Sequence, residues 1–227
     1  MELGTRLARL GEAAAALIED GQTVGLGTGS TANAMIEALG RRVAGGLQIT
    51  GVVTSLQTRD LATQAGIPLR SIDEVETIDI GIDGADEIDP DLTLIKGRGG
   101  ALLYEKIVAE RCRRYVVIAA TEKLVDRLGL RLPLPIEIIP FGWPHTARAL
   151  ESLGLAPTLR LTDSGDPYES DGGHYLLDCA PHHITDPVTL GSRIKVITGV
   201  VDHGLFCGLA TEAMVVDEEG DVRQIEQ

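Results

Sequence analysis

Thr23-Val24-Gly25-Leu26-Gly27-Thr28-Gly29-Ser30-Thr31-Ala32 is the stretch that decides the reading of the fold. Its first four residues form a short β-rich run of the kind that fills a buried strand, and a helical pattern follows from Ala32 to Leu39. Glycines at a strand-to-helix turn let the backbone come close to a ligand. Ser30 or Thr31 is placed to cap the helix, whose first amides make an anion site. Gly27-x-Gly29-x-x-Ala32 also meets the looser dinucleotide fingerprint. A dinucleotide, however, needs a carboxylate after the next strand to hold a ribose hydroxyl. That strand, residues 49–53, runs into Thr54-Ser55-Leu56-Gln57-Thr58, which has none. No lysine precedes Ser30, so this is not a Walker loop either. A phosphate-sized ligand fits better.

Outward from this loop the chain alternates strand and helix. Leu3, Leu7, Leu10, Ala14 and Leu17 recur at three- and four-residue spacing, which predicts a helix over 3–19. A helix over 56–65 is stopped by Gly66 and Pro68, and a short strand is expected near Leu69. Residues 78–82 are a nearly continuous β-rich run, as in a buried parallel strand. A strand at 93–95, a helix over 101–112 and a strand at 115–119 complete the pattern. The expectation is an α/β fold with a doubly wound, mostly parallel, Rossmann-like sheet. Such sheets bind ligands beyond the carboxyl ends of their strands, and Thr28, Asp83 and Lys96 are each expected there. From Leu130 onward prolines at 133, 135, 140, 144 and 157 break the alternation. A helix over 144–153 and strands at 158–161 and 175–178 predict a smaller α+β domain at 131–204.

A second cluster lies in Asp83-Gly84-Ala85-Asp86-Glu87 and Lys96-Gly97-Arg98-Gly99-Gly100-Ala101-Leu102, which opens a helix bearing Glu105. Proton transfer on a small anionic substrate needs this mixture of base, acid, cation and free N–H groups. A solvated acidic turn before an ordinary helix start accounts for the same residues equally well, and the Gly27 loop tips the balance. Helical side chains tilt toward the helix N-terminus, which aims Glu105 back at the Gly97–Gly100 loop. Asp83, Asp86, Glu87 and Asp89 lack calcium-loop spacing, and Lys96 and Lys123 oppose a cation, so no metal is expected. His182-His183 with Asp186 lacks a third ligand at suitable spacing and reads as a loop. His145, His174 and His203 read as structural.

Composition narrows the class. A hydrophobic content of 44% is that of a globular protein, and no apolar run is long enough to span a bilayer. The N-terminus lacks a signal pattern, and three scattered cysteines suggest neither disulfides nor a metal site. A cytoplasmic location follows. A net charge of −14 argues against nucleic acid as a partner. It also requires that cations be concentrated wherever an anion binds. Of only four lysines, three (96, 106 and 123) fall in or beside the candidate blocks.

The chain resembles the A-type ribose-5-phosphate isomerases. The resemblance is carried by GLGTGSTA at 25–32, TSLQT at 54–58, DGADEID at 83–89 and KGRGGALLYEKI from Lys96. TEKLVDRLG from Thr121, LPLPIEIIP from Leu132, ITDP at 184–187 and GVVDHGLF at 199–206 extend it. It implies that the last segment rejoins the first domain, giving a catalytic domain of 1–130 plus 205–227. It also implies aldose–ketose isomerisation of ribose 5-phosphate and ribulose 5-phosphate through an enediolate, in the non-oxidative pentose phosphate pathway, with no cofactor. On the family pattern Glu105 is the base, Lys96 offsets enediolate charge, Asp83 opens the furanose and Asp86 orients hydroxyls. Thr28, Gly29, Ser30, Thr31, Gly84, Ala85, Gly97, Arg98, Gly99 and Lys123 complete the expected substrate contacts. Arg98 stands where the family usually has glycine and Tyr104 where arginine is common. If position 98 needs positive φ, arginine brings strain; otherwise it adds a cation. The alternative reading is a non-catalytic sugar-phosphate sensor. A homodimer or homotetramer is expected.

The missing carboxylate after Val53 and the lysines facing the acidic loop predict that turnover of ribose 5-phosphate persists in EDTA and needs no NAD. Loss of turnover in EDTA, restored by Mg²⁺ or Zn²⁺, would overturn this.

Overall fold

The computed structural model describes residues 1–180 and 184–226, so the His182-His183 pair lies outside the described residues. The chain divides into two compact units. The first comprises Met1–Ala85, Tyr104–Leu124 and Gly208–Gln227; the second comprises Asp86–Leu103 and Val125–Cys207.

In chain order the elements are α1 (Leu3–Ala16), β1 (Thr23–Leu26), α2 (Ser30–Ala44), β2 (Thr50–Val53), α3 (Leu56–Gln64) and β3 (Ile78–Gly84). Then come β4 (Glu87–Ile88), β5 (Leu94–Ile95), α4 (Leu102–Ala109), β6 (Cys112–Ala120), β7 (Leu134–Ile138) and α5 (Trp143–Glu151). The remainder are β8 (Pro157–Leu159), β9 (Tyr175–Cys179), α6 (Pro187–Lys195), β10 (Val200–His203), β11 (Leu205–Phe206), β12 (Glu212–Val216) and β13 (Val222–Glu226).

The first unit holds a six-stranded sheet in the order β13-β12-β6-β3-β1-β2. All neighbours pair in parallel except β12 and β13. This is the expected doubly wound α/β sheet. Because β2 lies on one side of β1 and β3 on the other, the connections reverse direction at β1/β3, which opens a crevice at the carboxyl ends of those strands. The central strands turn an apolar row toward the helices, whereas the alternate positions of β3 are Asp79, Gly81 and Asp83. Ile80, Ile82, Val116 and Ile118 are buried with Leu10 and Ile18 from α1 and its C-terminal end and with Ile36 and Leu39 of α2. Each such side chain contributes about 1.5–3 kcal/mol on burial.

The second unit carries two antiparallel sheets, β10-β7-β9-β8 and β11-β5-β4. Its core includes Leu134, Ile136, Ile138, Leu150, Leu177 and Ile194.

Several expectations change here. The 93–95 strand does not join the large sheet: β5 pairs with β4 and β11, so Lys96 follows a strand of a different sheet from Thr28 and Asp83. Leu69 makes only an isolated bridge to Gly51. The helix read over 101–112 ends at Ala109, because Cys112 is already paired with Ile78 in the β3–β6 ladder. That ladder supplies hydrogen bonds another turn of helix would forgo. Helix α2 starts at Ser30 and extends to Ala44, with Gly29 at its N-cap in place of Ser30 or Thr31.

Helices α1 and α2 approach closely at Gly11. A Cβ there would stand 2.6 Å from the carbonyl carbon and oxygen of Ala34 and 2.7 Å from the amide nitrogen of Met35. Both are backbone groups and cannot swing away. Gly11→Ala is therefore expected to lower stability by about 1–3 kcal/mol through overpacking, even though alanine is the better helix former by about 1 kcal/mol. Urea unfolding checks this; a gain in stability would show that the helices separate freely.

Candidate active site

Three loops of the first unit leave the carboxyl ends of parallel strands: Gly27–Gly29 after β1, Gly84–Ala85 at the end of β3, and Thr121–Lys123 after β6. Asp83, at the end of β3, is 1% exposed. Its Oδ1 accepts the amides of Thr28 at 3.0 Å and Gly84 at 2.7 Å. The Tyr115 hydroxyl stands 3.4 Å from its Oδ2. Burial first, then the charges of Asp83 and Glu105, push the Tyr115 phenol well above its ordinary pKa, so it stays protonated and donates. Both carboxylates thus favour the protonated phenol.

Gly27 makes this arrangement possible. A Cβ there would fall on the carboxyl group of Asp83 and 2.6 Å from its Cα. The loop is then fixed by hydroxyls. Thr28 Oγ1 lies 2.8 Å from Thr54 Oγ1, 2.8 Å from Ser55 Oγ and 3.0 Å from Thr58 Oγ1. Thr54 donates to the carbonyl of Leu26 and Thr58 to that of Gly27, both at 2.9 Å. Gly29, at φ 106°, starts α2 without a side-chain cap. Thr31, in the first turn of α2, stands beside Gly84, whose missing Cβ would lie 3.9 Å from Thr31 Cβ.

Lys123 sits in a one-turn helix after β6. Its neighbour Glu122 is gripped by the Arg6 guanidinium at 2.6 and 2.8 Å, and this pair holds the Glu122 carboxyl down at about 2. Arg6 also donates to the Val216 carbonyl at 3.1 Å, tying the turn to β12. Glu105 is 4% exposed in the first turn of α4. Tyr104, beside it, is one of the larger exposed apolar side chains.

In the second unit Asp86 Oδ2 accepts the Arg98 amide at 2.9 Å. Lys96 is buried, with its ammonium 5.6 Å from the centre of the Phe206 ring. Gly97 and Gly100 have φ of 104° and 83°, whereas Arg98 is outside the left-handed region, so the strain alternative for Arg98 is removed. Its exposed side chain lines a recess of about 330 Å³ with Asp86, Pro135, Arg160 and Asp178. The acidic run is not one cluster. Glu87 is buried and accepts the amides of Gly129, Arg131 and Leu132 at 2.6–2.9 Å, and Asp89 closes a turn through the amides of Asp91 and Thr93. Among the described residues no group of three or more His, Cys, Asp or Glu is placed to hold a metal ion.

Sequence reading misses Tyr115, whose signal is only that of a core aromatic in a strand. It gives Thr54, Ser55 and Thr58 no role of their own; three hydroxyls across a strand end and helix start are the available signal. Arg160, Tyr168 and Asp178 have no local signal, lying about 60 to 80 residues beyond the loop at which they gather.

Known proteins of one family are closely similar to this chain. The family model described as ribose 5-phosphate isomerase A (phosphoriboisomerase A) matches residues 50–220. Ribose-5-phosphate isomerase A of Thermomicrobium roseum is 49% identical over 228 residues, spanning 99% of this chain and 96% of that protein. The Bradyrhizobium diazoefficiens protein of the same name is 50% identical over 220 residues, 92% and 90% of the two chains. Among solved structures, a D-ribose-5-phosphate isomerase in complex with phospho-erythronic acid superposes with a TM-score of 0.96 at 37% identity, covering all of both chains. The Methanocaldococcus jannaschii ribose 5-phosphate isomerase A gives 0.94 at 36% identity, covering 98% and 99%.

Because Arg98 is unstrained, Arg98→Gly should not raise thermal stability; added backbone freedom should lower it by about 0.5–1 kcal/mol. If the guanidinium attracts an anionic substrate, KM should rise with kcat little changed, the mark of uniform binding lost. A higher Tm would restore the strain explanation.

Proposed function

The chain belongs to the ribose 5-phosphate isomerase A family, and from that premise we infer that it interconverts D-ribose 5-phosphate and D-ribulose 5-phosphate through an enediolate. The observation that carries the assignment of roles is the pair of almost fully buried carboxylates of the first unit, Asp83 at the end of β3 and Glu105 in the first turn of α4. Isomerisation needs a base that works on carbon and a second group that works on oxygen, and two carboxylates in different settings supply both.

Glu105 takes the C2 proton of the open-chain aldose and returns it to C1, while a proton passes from O2 to O1. Lys96 offsets the charge that develops on the enediolate oxygen, a role that grows in the transition state. Its burial supports this, since a fixed ammonium away from water acts at lower effective dielectric. Asp83 assists ring opening, and Asp86, already engaged with the Arg98 amide, orients hydroxyls. The phosphate is received by Thr28, Gly29, Ser30, Thr31 and Lys123, where helix amides and a lysine follow strands of one sheet. Gly84, Ala85, Gly97, Arg98 and Gly99 complete the contacts. The carbonyl supplies the carbon acidity, so this mechanism calls on no cofactor. Among the described residues no helix is long and apolar enough to cross a membrane. A homodimer or homotetramer is the assembly we expect, to be read by light scattering.

Glu105→Gln keeps shape but removes the basic oxygen. It should lower kcat by roughly 10²–10⁴-fold and leave substrate binding nearly unchanged. Exchange of the C2 proton with solvent should fall in parallel. Asp83→Asn should hurt the cyclic sugar more than an open-chain analogue. Near-normal kcat in Glu105→Gln, with proton exchange abolished by Asp83→Asn or Asp86→Asn, would move the base to the acidic loop.

A further inference from the structure

Within the second unit, three successive carbonyls of the loop after Lys96 are taken up by two side chains from a distant part of the sequence. Arg160 Nη1 donates to the carbonyl oxygens of Gly97 at 3.1 Å and Arg98 at 3.0 Å. The Tyr168 hydroxyl donates to that of Gly99 at 3.3 Å. The rest of the Arg160 fork is spent on Asp178: Nε donates to Oδ2 at 2.9 Å and Nη2 to Oδ1. The Arg160 side chain is 14% exposed, and its guanidinium lies 5.8 Å from the centre of the Tyr168 ring. Tyr168 in turn occupies the space where a Cβ on Gly100 would sit.

The consequence follows from peptide planarity. In a trans peptide the carbonyl and the next amide point in opposite directions, and no cis bond occurs among the described residues. Drawing the Gly97 and Arg98 carbonyls toward Arg160 turns the amides of Arg98 and Gly99 the other way. The first of these meets Asp86. Lys96, the residue before the loop, is itself held in place by its amide on the Gly204 carbonyl at 2.9 Å.

We propose that Arg160, oriented by Asp178 and braced by Tyr168, is a positioning residue for the isomerisation: its fork sets the backbone of Gly97–Gly99, and through it Asp86 and the end of the Lys96 segment. The proposal rests on the reading of Lys96–Gly99 as substrate-facing. Arginine suits the task and lysine does not. Two carbonyls and one carboxylate must be met at once by a planar set of donors, and an ammonium is a point charge on a flexible stem. The clamp acts on backbone, so its loss should misplace groups without removing any.

The test pairs kinetics with hydrogen exchange on the full chain. In Arg160→Met, kcat for ribose 5-phosphate is expected to fall by roughly 10²-fold, the effect of a small misplacement of catalytic groups. KM should change less than about threefold, because the phosphate grip assigned above lies elsewhere. Arg160→Lys should recover only part of the loss. Tyr168→Phe keeps the ring and loses one hydrogen bond, and should cost about two- to tenfold. Amides of residues 98–100 should exchange at least about tenfold faster in Arg160→Met while core strands stay protected. Should Arg160→Met fail to fold, Arg160→Lys and Tyr168→Phe carry the same two readouts. Faster loop exchange with kcat within about twofold of the parent would overturn the positioning role, and so would lost kcat with unchanged exchange. Absence of isomerisation in the parent would refute the function itself, and unchanged loop exchange in Arg160→Met would then refute the clamp separately.

Discussion

A carboxylate buried at the end of a central strand is the constraint on which the first unit depends. Asp83 is enclosed in a medium where an uncompensated charge costs several kcal/mol. Hydrogen bonds to charged groups return about 1.5–3 kcal/mol each, so the loop amides of Thr28 and Gly84 and the Tyr115 phenol together make the charge tolerable. This demand propagates backward into sequence. The Thr28 amide reaches Asp83 only because Gly27 has no side chain in the way. Gly25 and Gly81 allow the same close approach lower in the sheet: a Cβ on Gly25 would lie 3.2 Å from Gly81 Cα, and one on Gly81 would strike the Cys112 sulfur and lie 3.1 Å from the Tyr115 ring. The glycines of the β1 loop are therefore set by the β1–β3 contact as much as by a ligand.

The hydroxyl group of Thr28 shows a second economy. The Gly27 amide donates to the Ile82 carbonyl and the Thr28 amide to Asp83, so the loop backbone is tied to β3 and the Thr28 side chain is left to tie it to the next turn. Thr54, Ser55 and Thr58 meet it from the end of β2 and the start of α3, reaching both the side chain of Thr28 and the carbonyls of Leu26 and Gly27. Ser55 is at once a cap for α3, accepting the Thr58 amide, and a partner of Thr28. One residue joins helix initiation to loop position, which is why the turn after β2 carries hydroxyls where a dinucleotide-binding sheet would carry a carboxylate.

How much of this is legible in the sequence depends on the range of each interaction. The β1–loop–α2 unit and the strand at 78–82 are local patterns, and period and glycine placement reveal them. The exchange of Ser30 for Gly29 at the N-cap is not legible, since both residue types are acceptable caps and the choice is made by φ. The strand at 93–95 is legible but its sheet is not, because apolar character says that a strand is buried and nothing about its neighbour. Its partners, Glu87-Ile88 and Leu205-Phe206, are two-residue strands too short to declare themselves. The Arg160 fork is the extreme case: its contacts span 62 and 63 residues, and an arginine between Leu159 and Leu161 reads only as the outward position of a short strand.

The acidic composition also finds its physical place in this distribution of range. A chain of net charge −14 that receives an anion works against its own field, and that field is screened over about 8–10 Å at ordinary ionic strength. Only cations held close to the bound anion count. The carboxylates do not oppose them equally: Asp83, Glu87 and Asp89 direct charge into backbone amides, and Glu122 and Asp178 into arginines. Compensated in this way, they add structure without adding much repulsion. Lys96 is treated differently on the side where it meets Phe206, since a ring face favours an ammonium without bringing a formal negative charge to it. The large net charge is mostly an exterior property, and the local balance at each strand end is set residue by residue.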